Sequence, residues 1–381
     1  MRREVREPRE DYPAKIERLG LTFHTLEGKN YWNESAAYVF SVAEIEELER
    51  ATEELHLRCL DAVEHVISQN HLGRLGIPPK AHEAIAKAWE DDPPAIYGRF
   101  DLSYTEGGPP KMLEYNADTP TSLLEAAVIQ WHWLQDVMPQ ADQFNSIWEG
   151  LVEKWQALKD EGFVPRGRVH FACLAEPEDL MTTAVLMDTA HEVGLEVRLL
   201  DMREIGWDAF QKCFVGKESE RIKTLFKLYP WEWMLDEEFA PHALATYGSM
   251  HWIEPIWKMV LSNKAILAVL WELFPEHPNL LPAYFDGPRD LGAYVRKPFL
   301  GREGANVSIV SPAATLEREG PYDTERSVFQ AYAPLPTFDG NHAVIGSWVI
   351  DGIPRGIGIR ESDGPITEDS ARFVPHYFNP A

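Results

Sequence analysis

Residues 97–121 read YGRFDLSYTEGGPPKMLEYNADTPT, a stretch with the signals of two strands joined by a turn. Two strand-like runs, Ala95–Tyr104 and Lys111–Tyr115, lie on either side of residues 105–110 (TEGGPP). The glycines and prolines of this short connection are typical of a hairpin loop. The stretch therefore predicts an antiparallel hairpin.

The predicted hairpin brings three polar side chains together. Strand pairing would place Asp101 near Glu114, and side chains of a strand alternate faces, so Glu114 and Asn116 would point the same way, about 7 Å apart at Cα. Two carboxylates and a carboxamide form an all-oxygen set that suits Mg²⁺, which keeps some waters and takes phosphate oxygens as further ligands. The alternative is an ordinary polar hairpin face with a turn-forming asparagine.

A lysine in residues 261–274 (LSNKAILAVLWELF) is the first candidate for binding phosphate. Ser262 or Asn263 would cap a helix here, which puts Lys264 in the first helical turn. The predicted apolar stripe of this helix is Ile266, Leu267, Leu270 and Leu273. A positive charge in a first turn is unfavourable by some tenths of a kcal/mol, so a bound anion would explain the lysine. A surface lysine is the alternative.

Residues 293–310 (AYVRKPFLGREGANVSIV) read as a strand, a glycine-containing loop and a second strand. Lys297 ends the first strand, and Gly301 and Gly304 lie in the loop. Glycines allow backbone N–H groups to close on phosphate oxygens, while a lysine adds a point charge. The alternative is a bare β-turn with a solvated lysine.

Four motifs together resemble the glutathionylspermidine synthase family. They are YGRFD around Asp101, MLEYNADTPTSLLEA around Glu114, LSNKAILAVLWELFP around Lys264 and VRKPFLGREGANV around Lys297, in that order. The resemblance covers nearly the whole chain. In that family the fold is an ATP-grasp ligase whose elements are circularly permuted, so that the metal-binding strands precede the nucleotide lysines.

The resemblance implies an ATP-dependent ligase that joins a carboxylate, as in a peptide, to an amine such as a polyamine. The acid attacks the γ-phosphate to form an acylphosphate and ADP, and the amine then displaces phosphate. Matched by motif, the Mg²⁺ ligands are Asp101, Glu114 and Asn116. The residues implied to contact ATP are Lys264, Lys297, Gly301, Gly304 and Gln330, and the arginines that stabilise the transferred phosphoryl group are Arg99 and Arg360. This division suits phosphoryl transfer, which depends on positioning and charge neutralisation.

The resemblance also implies a substrate side. Thr119 and Thr121 correspond to hydroxyl residues that meet the peptide substrate, and Glu178 and Asp179 to an acidic pair that faces the amine. The alternative for the acidic pair is a helix N-terminus, because acids in a first helical turn favour the helix dipole. For Arg360, in GIPRGIGIRES (residues 352–362), the alternative is a surface arginine paired with Glu361.

Bifunctional members of the family carry an N-terminal amidase with a nucleophilic cysteine, and nothing ahead of Tyr97 matches one. Cys59 has the apolar spacing of a core position, Cys173 lies in an apolar run, and Cys213 precedes Phe214. We therefore expect no hydrolytic half and no covalent nucleophile.

Patterning predicts an inserted Rossmann-like β-α-β subdomain, and the resemblance implies that the whole is an α+β fold of the circularly permuted ATP-grasp type. The 381 residues are 45% hydrophobic, enough for a sizeable core in one synthetase domain. The subdomains are expected at about 1–160, 161–260 and 261–381. Predicted helices cover residues 42–70, 122–133, 144–160 and 180–193; predicted strands include 169–175, 195–202, 328–335, 343–352 and 352–360.

The formal charge of −25 argues against nucleic acid or an anionic membrane as partner and would attract a cationic substrate. The charged opening MRREVREPREDYPAK lacks a hydrophobic signal segment, and the chain has no run of about 18 apolar residues. We expect a cytoplasmic enzyme that acts on small-molecule substrates. A small-molecule kinase with the same Mg²⁺ and lysines, or a nucleotide-binding regulator without turnover, are the alternative functions.

Overall fold

A computed structural model describes residues 1–26, 28–105, 107–368 and 371–380, which form a mixed α/β fold with several sheets. The strands are β1 (Arg2–Val5), β2 (Thr25–Leu26), β3 (Lys29–Asn30), β4 (Ala36–Phe40), β5 (Tyr97–Ser103), β6 (Lys111–Asn116), β7 (Arg168–Cys173), β8 (Glu196–Asp201), β9 (Gly206–Asp208), β10 (Cys213–Val215), β11 (Thr224–Leu228), β12 (His251–Ile253), β13 (Ala283–Tyr284), β14 (Tyr294–Pro298), β15 (Ser308–Val310), β16 (Thr315–Glu317), β17 (Ser327–Ala331), β18 (Thr337–Phe338), β19 (Asn341–Ile350), β20 (Ile353–Ser362), β21 (Arg372–Val374) and β22 (His376–Phe378).

The α-helices are α1 (Tyr12–Arg18), α2 (Val42–Ser68), α3 (Pro79–Asp91), α4 (Gln130–Val137), α5 (Ile147–Asp160), α6 (Pro177–Glu192), α7 (Trp231–Asp236), α8 (Ala240–Ala245), α9 (Met259–Ser262) and α10 (Ile266–Leu273). A π-helical turn, Glu125–Ile129, runs directly into α4. Short 3₁₀ turns span Leu72–Leu75, Pro165–Gly167, Met202–Glu204 and Ile256–Lys258.

The predicted hairpin is present as β5 and β6, in an antiparallel sheet with the order β21-β20-β19-β5-β6. Asp101 pairs with Glu114 in register, and a bulge follows Asp101. Glu106, in the predicted connection, lies outside the described residues. The pairing of β5 with β6 confirms the hairpin prediction. The prediction was possible because alternating strand runs and turn residues are local signals.

A second antiparallel sheet, in the order β13-β17-β14-β15-β16, carries the other half of the candidate site. Lys297 lies on β14 and Gln330 on the adjacent β17, where Gln330 is in register with Val295. The strand, glycine loop and strand predicted around Lys297 are observed as β14, residues 299–307 and β15. The two antiparallel sheets therefore supply the three predicted metal ligands and, of the residues predicted to bind nucleotide, Lys297 and Gln330.

The parallel sheet, with the order β12-β11-β7-β8, forms the third wall of the site region. Its strands β7 and β8 flank α6 and pair in parallel, as predicted for a β-α-β unit. The predicted long helix is α2, which begins with a capping box between Ser41 and Glu44.

One local prediction is wrong. Helix α10 begins at Ile266, so Lys264 lies in the turn before the helix and not in its first turn. Asn263 accepts a hydrogen bond from the backbone N–H of Ala265, whereas the Ser262 hydroxyl accepts bonds from the N–H groups of Ala117 and Asp118. A tertiary contact therefore uses the hydroxyl that the local pattern assigned to a helix cap.

A buried ion pair connects the parallel sheet to the end of the metal-site hairpin. Lys227, on β11, donates to Asp118 at 2.7 Å, and both side chains are fully buried. Asp118 also accepts the N–H of Trp231 at the start of α7. In the part of the chain described here, no helix is long and apolar enough to cross a membrane.

Candidate active site

A cavity of about 430 Å³ lies among the three sheets, and the predicted residues converge on it. Its lining includes Arg99, Asp101, Glu114, Asn116, Thr119, Thr121, Glu178, Asp179, Lys264, Lys297, Gly304, Gln330 and Arg360. Gly301 does not line the cavity itself, but its carbonyl oxygen accepts a 2.7 Å hydrogen bond from Lys264. Residues that are up to about 260 positions apart are thus gathered around one space.

Asp101 is held between two arginines. Arg99 Nε donates to Oδ1 at 2.8 Å, and Arg360 Nη2 donates to Oδ2 at 2.6 Å. Arg99 also donates to the carbonyl oxygen of Thr121 at 2.7 Å, which ties it to the loop after β6. The alternative of a surface Arg360 paired with Glu361 does not hold, because Glu361 is fully buried and pairs with Arg3.

Glu114 is paired with a lysine at 2.9 Å, Nζ of Lys264 to Oε2, and Asn116 donates to its other oxygen at 3.0 Å. Burial raises the pKa of Glu114, but the charges of Lys264 and Lys297 outweigh burial and hold the pKa well below its ordinary value. Lys264 is buried, so the surface-lysine alternative is wrong. The carboxylate is therefore ionised at neutral pH and lies beside two cations.

Lys297 is also buried, which excludes the solvated-turn alternative. Its Nζ donates to the carbonyl oxygen of Leu113 and to Oε1 of Gln330, each at 2.8 Å. Gln330 in turn donates to the carbonyl oxygen of Met112 at 3.0 Å. Burial lowers the pKa of Lys297 to about 8, and the charge of Lys264 acts in the same direction while Glu114 opposes it.

The glycine loop contributes a residue that the sequence analysis missed. Arg302, between the two predicted glycines, donates to the hydroxyl of Thr119 at 3.0 Å and to Glu232 at 2.8 Å. Its guanidinium lies 5.3 Å from the ring centre of Trp233. Its position between Gly301 and Gly304, in a loop already predicted to face phosphate, was the signal that could have identified it.

Gly304 is required by the loop geometry. Its φ is +71°, and a Cβ there would lie 2.8 Å from the carbonyl oxygen of Thr367. The loop can therefore pack closely beneath residues 365–368, which also line the cavity.

Glu178 and Asp179 occupy the first turn of α6 and also line the cavity, so both sequence interpretations match their position. Burial raises the pKa of Asp179 to about 7, and the nearby charges of Glu178 and Glu176 add to this effect. A cation bound here would relieve the repulsion among these carboxylates. The acidic side lies on the same cavity as the lysines and arginines.

The donor set at the hairpin fits Mg²⁺. Asp101, Glu114 and Asn116 supply oxygen atoms, and the two carboxylates already attract the positive charges of Arg99, Arg360 and Lys264. Among the described residues, no three His, Cys, Asp or Glu side chains are grouped to hold a metal. The metal site of two carboxylates and one carboxamide stays a prediction.

Comparison with known proteins finds relatives that are named ligases and synthetases. Residues 3–379 match the model of a family described as "Glutathionylspermidine synthase preATP-grasp". The chain is 40% identical to a Haemophilus influenzae protein named "Putative acid--amine ligase", over 98% of each chain. It is 30% identical to the trypanothione synthetase of Crithidia fasciculata, over 82% of this chain and 54% of that protein.

A similarity is also found among solved structures. The fold resembles the apo form of a glutathione synthetase-like effector from Globodera pallida, with a TM-score of 0.56. The match covers 96% of both chains at 11% identity. At this identity the likeness concerns the fold alone.

Proposed function

The chain belongs to the glutathionylspermidine synthase preATP-grasp family, and we propose that it joins a carboxylate to an amine through an acylphosphate. Its relatives are named ligases and synthetases, so the chain is an ATP-dependent ligase that forms a C–N bond. The proposed acid is peptide-like and the proposed acceptor is a polyamine or another amino compound. The proposed fold assignment is a permuted ATP-grasp with an inserted β-α-β subdomain.

The observation that carries this proposal is the division of one cavity into a cationic side and an acidic side. On the cationic side, Arg99, Arg360, Lys264 and Lys297 outnumber the two carboxylates among them, Asp101 and Glu114, in a chain whose net charge is −25. The acidic side is formed by Glu176, Glu178 and Asp179, with Arg302 beside them. Phosphate groups and an ammonium group would each meet opposite charge there.

Each predicted residue has a role in this scheme. Lys264 and Lys297 would bind the nucleotide phosphates, together with Gln330 and the loop of Gly301 and Gly304. Asp101, Glu114 and Asn116 would hold Mg²⁺, whose contribution is to neutralise phosphate charge.

The remaining residues would act on the acid and the amine. Arg99 and Arg360, which pair with Asp101 in the absence of ligands, would stabilise the phosphoryl group as it moves to the acid. Thr119 and Thr121 would contact the acid, and Glu178 and Asp179 would hold an ammonium group of the amine substrate other than the attacking nitrogen, which must be neutral to react. The bound partners are then aligned before reaction, which removes much of the entropic barrier.

Product analysis tests this function. The purified protein is incubated with ATP, Mg²⁺ and pools of short peptides and polyamines, and products are identified by mass spectrometry. We expect a new mass equal to peptide plus amine minus water, formed only with ATP. A phosphorylated peptide or amine that accumulates as the final product would instead identify a kinase.

A further inference from the structure

A buried tyrosine–glutamate pair beside the cavity has no role in the scheme above. Tyr31 lines the cavity, and its hydroxyl donates to Oε1 of Glu125 at 2.7 Å. Both residues are almost fully buried, at 5% and 1% exposure. A buried carboxyl group without a lysine or arginine partner is costly unless it is neutral or has a function.

The backbone around this pair is unusual. Glu125 begins the π-helical turn that leads into α4, and such turns occur often at functional sites. Ser122, whose hydroxyl lies 3.5 Å from that of Tyr31, has a φ of +67°. Positive φ at a non-glycine residue stores strain that the surrounding structure must hold in place.

The pair lies between the two sides of the cavity. Arg99, on the phosphoryl side, donates to the carbonyl oxygen of Thr121, the residue before Ser122. On the amine side, the charge of Glu178 acts on both Tyr31 and Glu125. Tyr31 thus lines the same cavity as Arg99 and Glu178, the groups proposed to act on the phosphoryl group and on the amine.

Resting on the proposed function, we infer that Tyr31 and Glu125 form the proton relay of the amide-forming step. When the amine attacks the acylphosphate, a C–N bond forms, the C–O bond to phosphate breaks, and the nitrogen must lose a proton. Tyr31 accepts that proton while passing its own to the Glu125 carboxylate. The relay returns to its starting state when the Glu125 proton passes back through Tyr31 to an oxygen of the released phosphate.

The surroundings of Glu125 set its titration. Burial raises its pKa to about 7, the hydrogen bond from Tyr31 lowers it, Glu178 of α6 raises it, and Arg99 of β5 lowers it. A base with a pKa near the working pH is effective in proton transfer. Since the carboxylate form accepts the proton, the amide-forming rate should rise with pH through about 7.

Two rates separate this role from a purely structural one. The first rate is that of acylphosphate formation without amine. It is measured with the acid found by product analysis, as the scrambling of oxygen isotopes within ATP. Amide formation is followed with hydroxylamine as the acceptor, by the yield of hydroxamate. Glu125→Gln and Tyr31→Phe should leave scrambling near wild type but slow hydroxamate formation by about 100-fold. The Gln variant should also lose the rise of rate with pH.

Tyr38→Phe is the matched control, because Tyr38 donates to Glu361 at the same 2.7 Å in a fully buried pair that does not line the cavity. Its ratio of the two rates should equal that of the wild type. Equal slowing of both rates in the Tyr31 and Glu125 variants, or no slowing, would overturn the relay. Absence of scrambling in the wild type would overturn the acylphosphate itself, and the relay with it.

Discussion

The carboxylates of the proposed metal site are engaged by cations: Asp101 by Arg99 and Arg360, Glu114 by Lys264. Ion pairs that are partly buried lose hydration free energy, and only good geometry recovers this cost. Their main effect here is therefore on which charged ligands can enter the cavity. A nucleotide phosphate can take over the cations, and this would leave the carboxylates to a metal ion. Pairing and ligand binding are therefore alternatives at the same atoms.

The clearest residue-scale test of the metal site is Asn116→Ala. It removes a predicted ligand without leaving a buried charge unpaired, whereas loss of Glu114 would leave Lys264 without its carboxylate. We expect ADP formation to fall by about 100-fold with little change in the thermal unfolding midpoint. Asn341→Ala, a half-buried asparagine outside the cavity, is the control. Near-normal turnover in the Asn116 variant would dismiss the metal assignment.

Lys297 predicts a pH dependence of nucleotide binding. Burial lowers its pKa to about 8, and a bound phosphate would favour the charged form, so binding raises that pKa. Above pH 8 the free lysine is neutral and ATP binding must take up a proton. Affinity should therefore fall by up to about tenfold per pH unit, as measured by calorimetry in buffers of different ionisation enthalpy. Lys297→Met should bind weakly without this dependence, and equal slopes in both proteins would contradict the assignment.

Among the elements, strand β19 is what shapes the arginine side of the cavity. Gly346 is in register with Asp101 of β5, and a Cβ at Gly346 would lie 2.8 Å from Cδ of Arg99. The missing side chain lets Arg99 lie across the strand and reach both Asp101 and Thr121. A glycine on a neighbouring strand thus positions a residue proposed to act on phosphate.

Gly346→Ala should consequently displace Arg99. We expect it to lower kcat by more than its loss of folding stability would explain. The added methyl group in a packed sheet should lower the free energy of unfolding by about 1–3 kcal/mol. Gly292→Ala, where a Cβ has open space around it, is the control and should behave as the wild type. The steady-state rate and the urea midpoint are measured for both variants; unchanged kcat in the Gly346 variant would remove the link.

Helices and strands could be predicted from the sequence where the residues that determine them lie within the element or next to it. The hairpin, α2 and the strands around Lys297 follow from alternation, capping and turn residues. The start of α10 was misplaced because Ser262 bonds to Ala117 and Asp118 instead of capping the helix. Tyr31 and Glu125 meet across 94 positions, and single-sequence patterns contain no information about such a contact.

For the whole molecule, two buried ion pairs connect the parallel sheet region to the metal-site sheet. Lys227 reaches Asp118 across 109 positions, and Glu254, paired with Lys258, accepts the N–H groups of Ile96 and Tyr97 at the entry to β5. Burial lowers the pKa of Lys227 and raises that of Asp118, and each partner's charge opposes this change. The cavity lies between units that these pairs hold together.

Asp118→Ala should therefore be among the most destabilising changes outside the cavity. It leaves Lys227 buried without its carboxylate, which costs about 3–5 kcal/mol. The double variant Asp118→Leu with Lys227→Met removes both charges and should recover much of that loss. Urea unfolding of the three proteins gives the comparison, and a double variant less stable than Asp118→Ala would show that packing, not charge, dominates.

The acylphosphate is the central claim, and hydroxylamine trapping tests it most directly. The protein is incubated with MgATP, the acid found by product analysis and hydroxylamine, and ADP, free phosphate and hydroxamate are measured in one reaction. The account predicts that hydroxamate forms and that phosphate is released in equal amount to ADP, because the phosphoryl group first activates the acid and then leaves. ADP formed without matching phosphate, and without hydroxamate, would contradict it and identify a kinase.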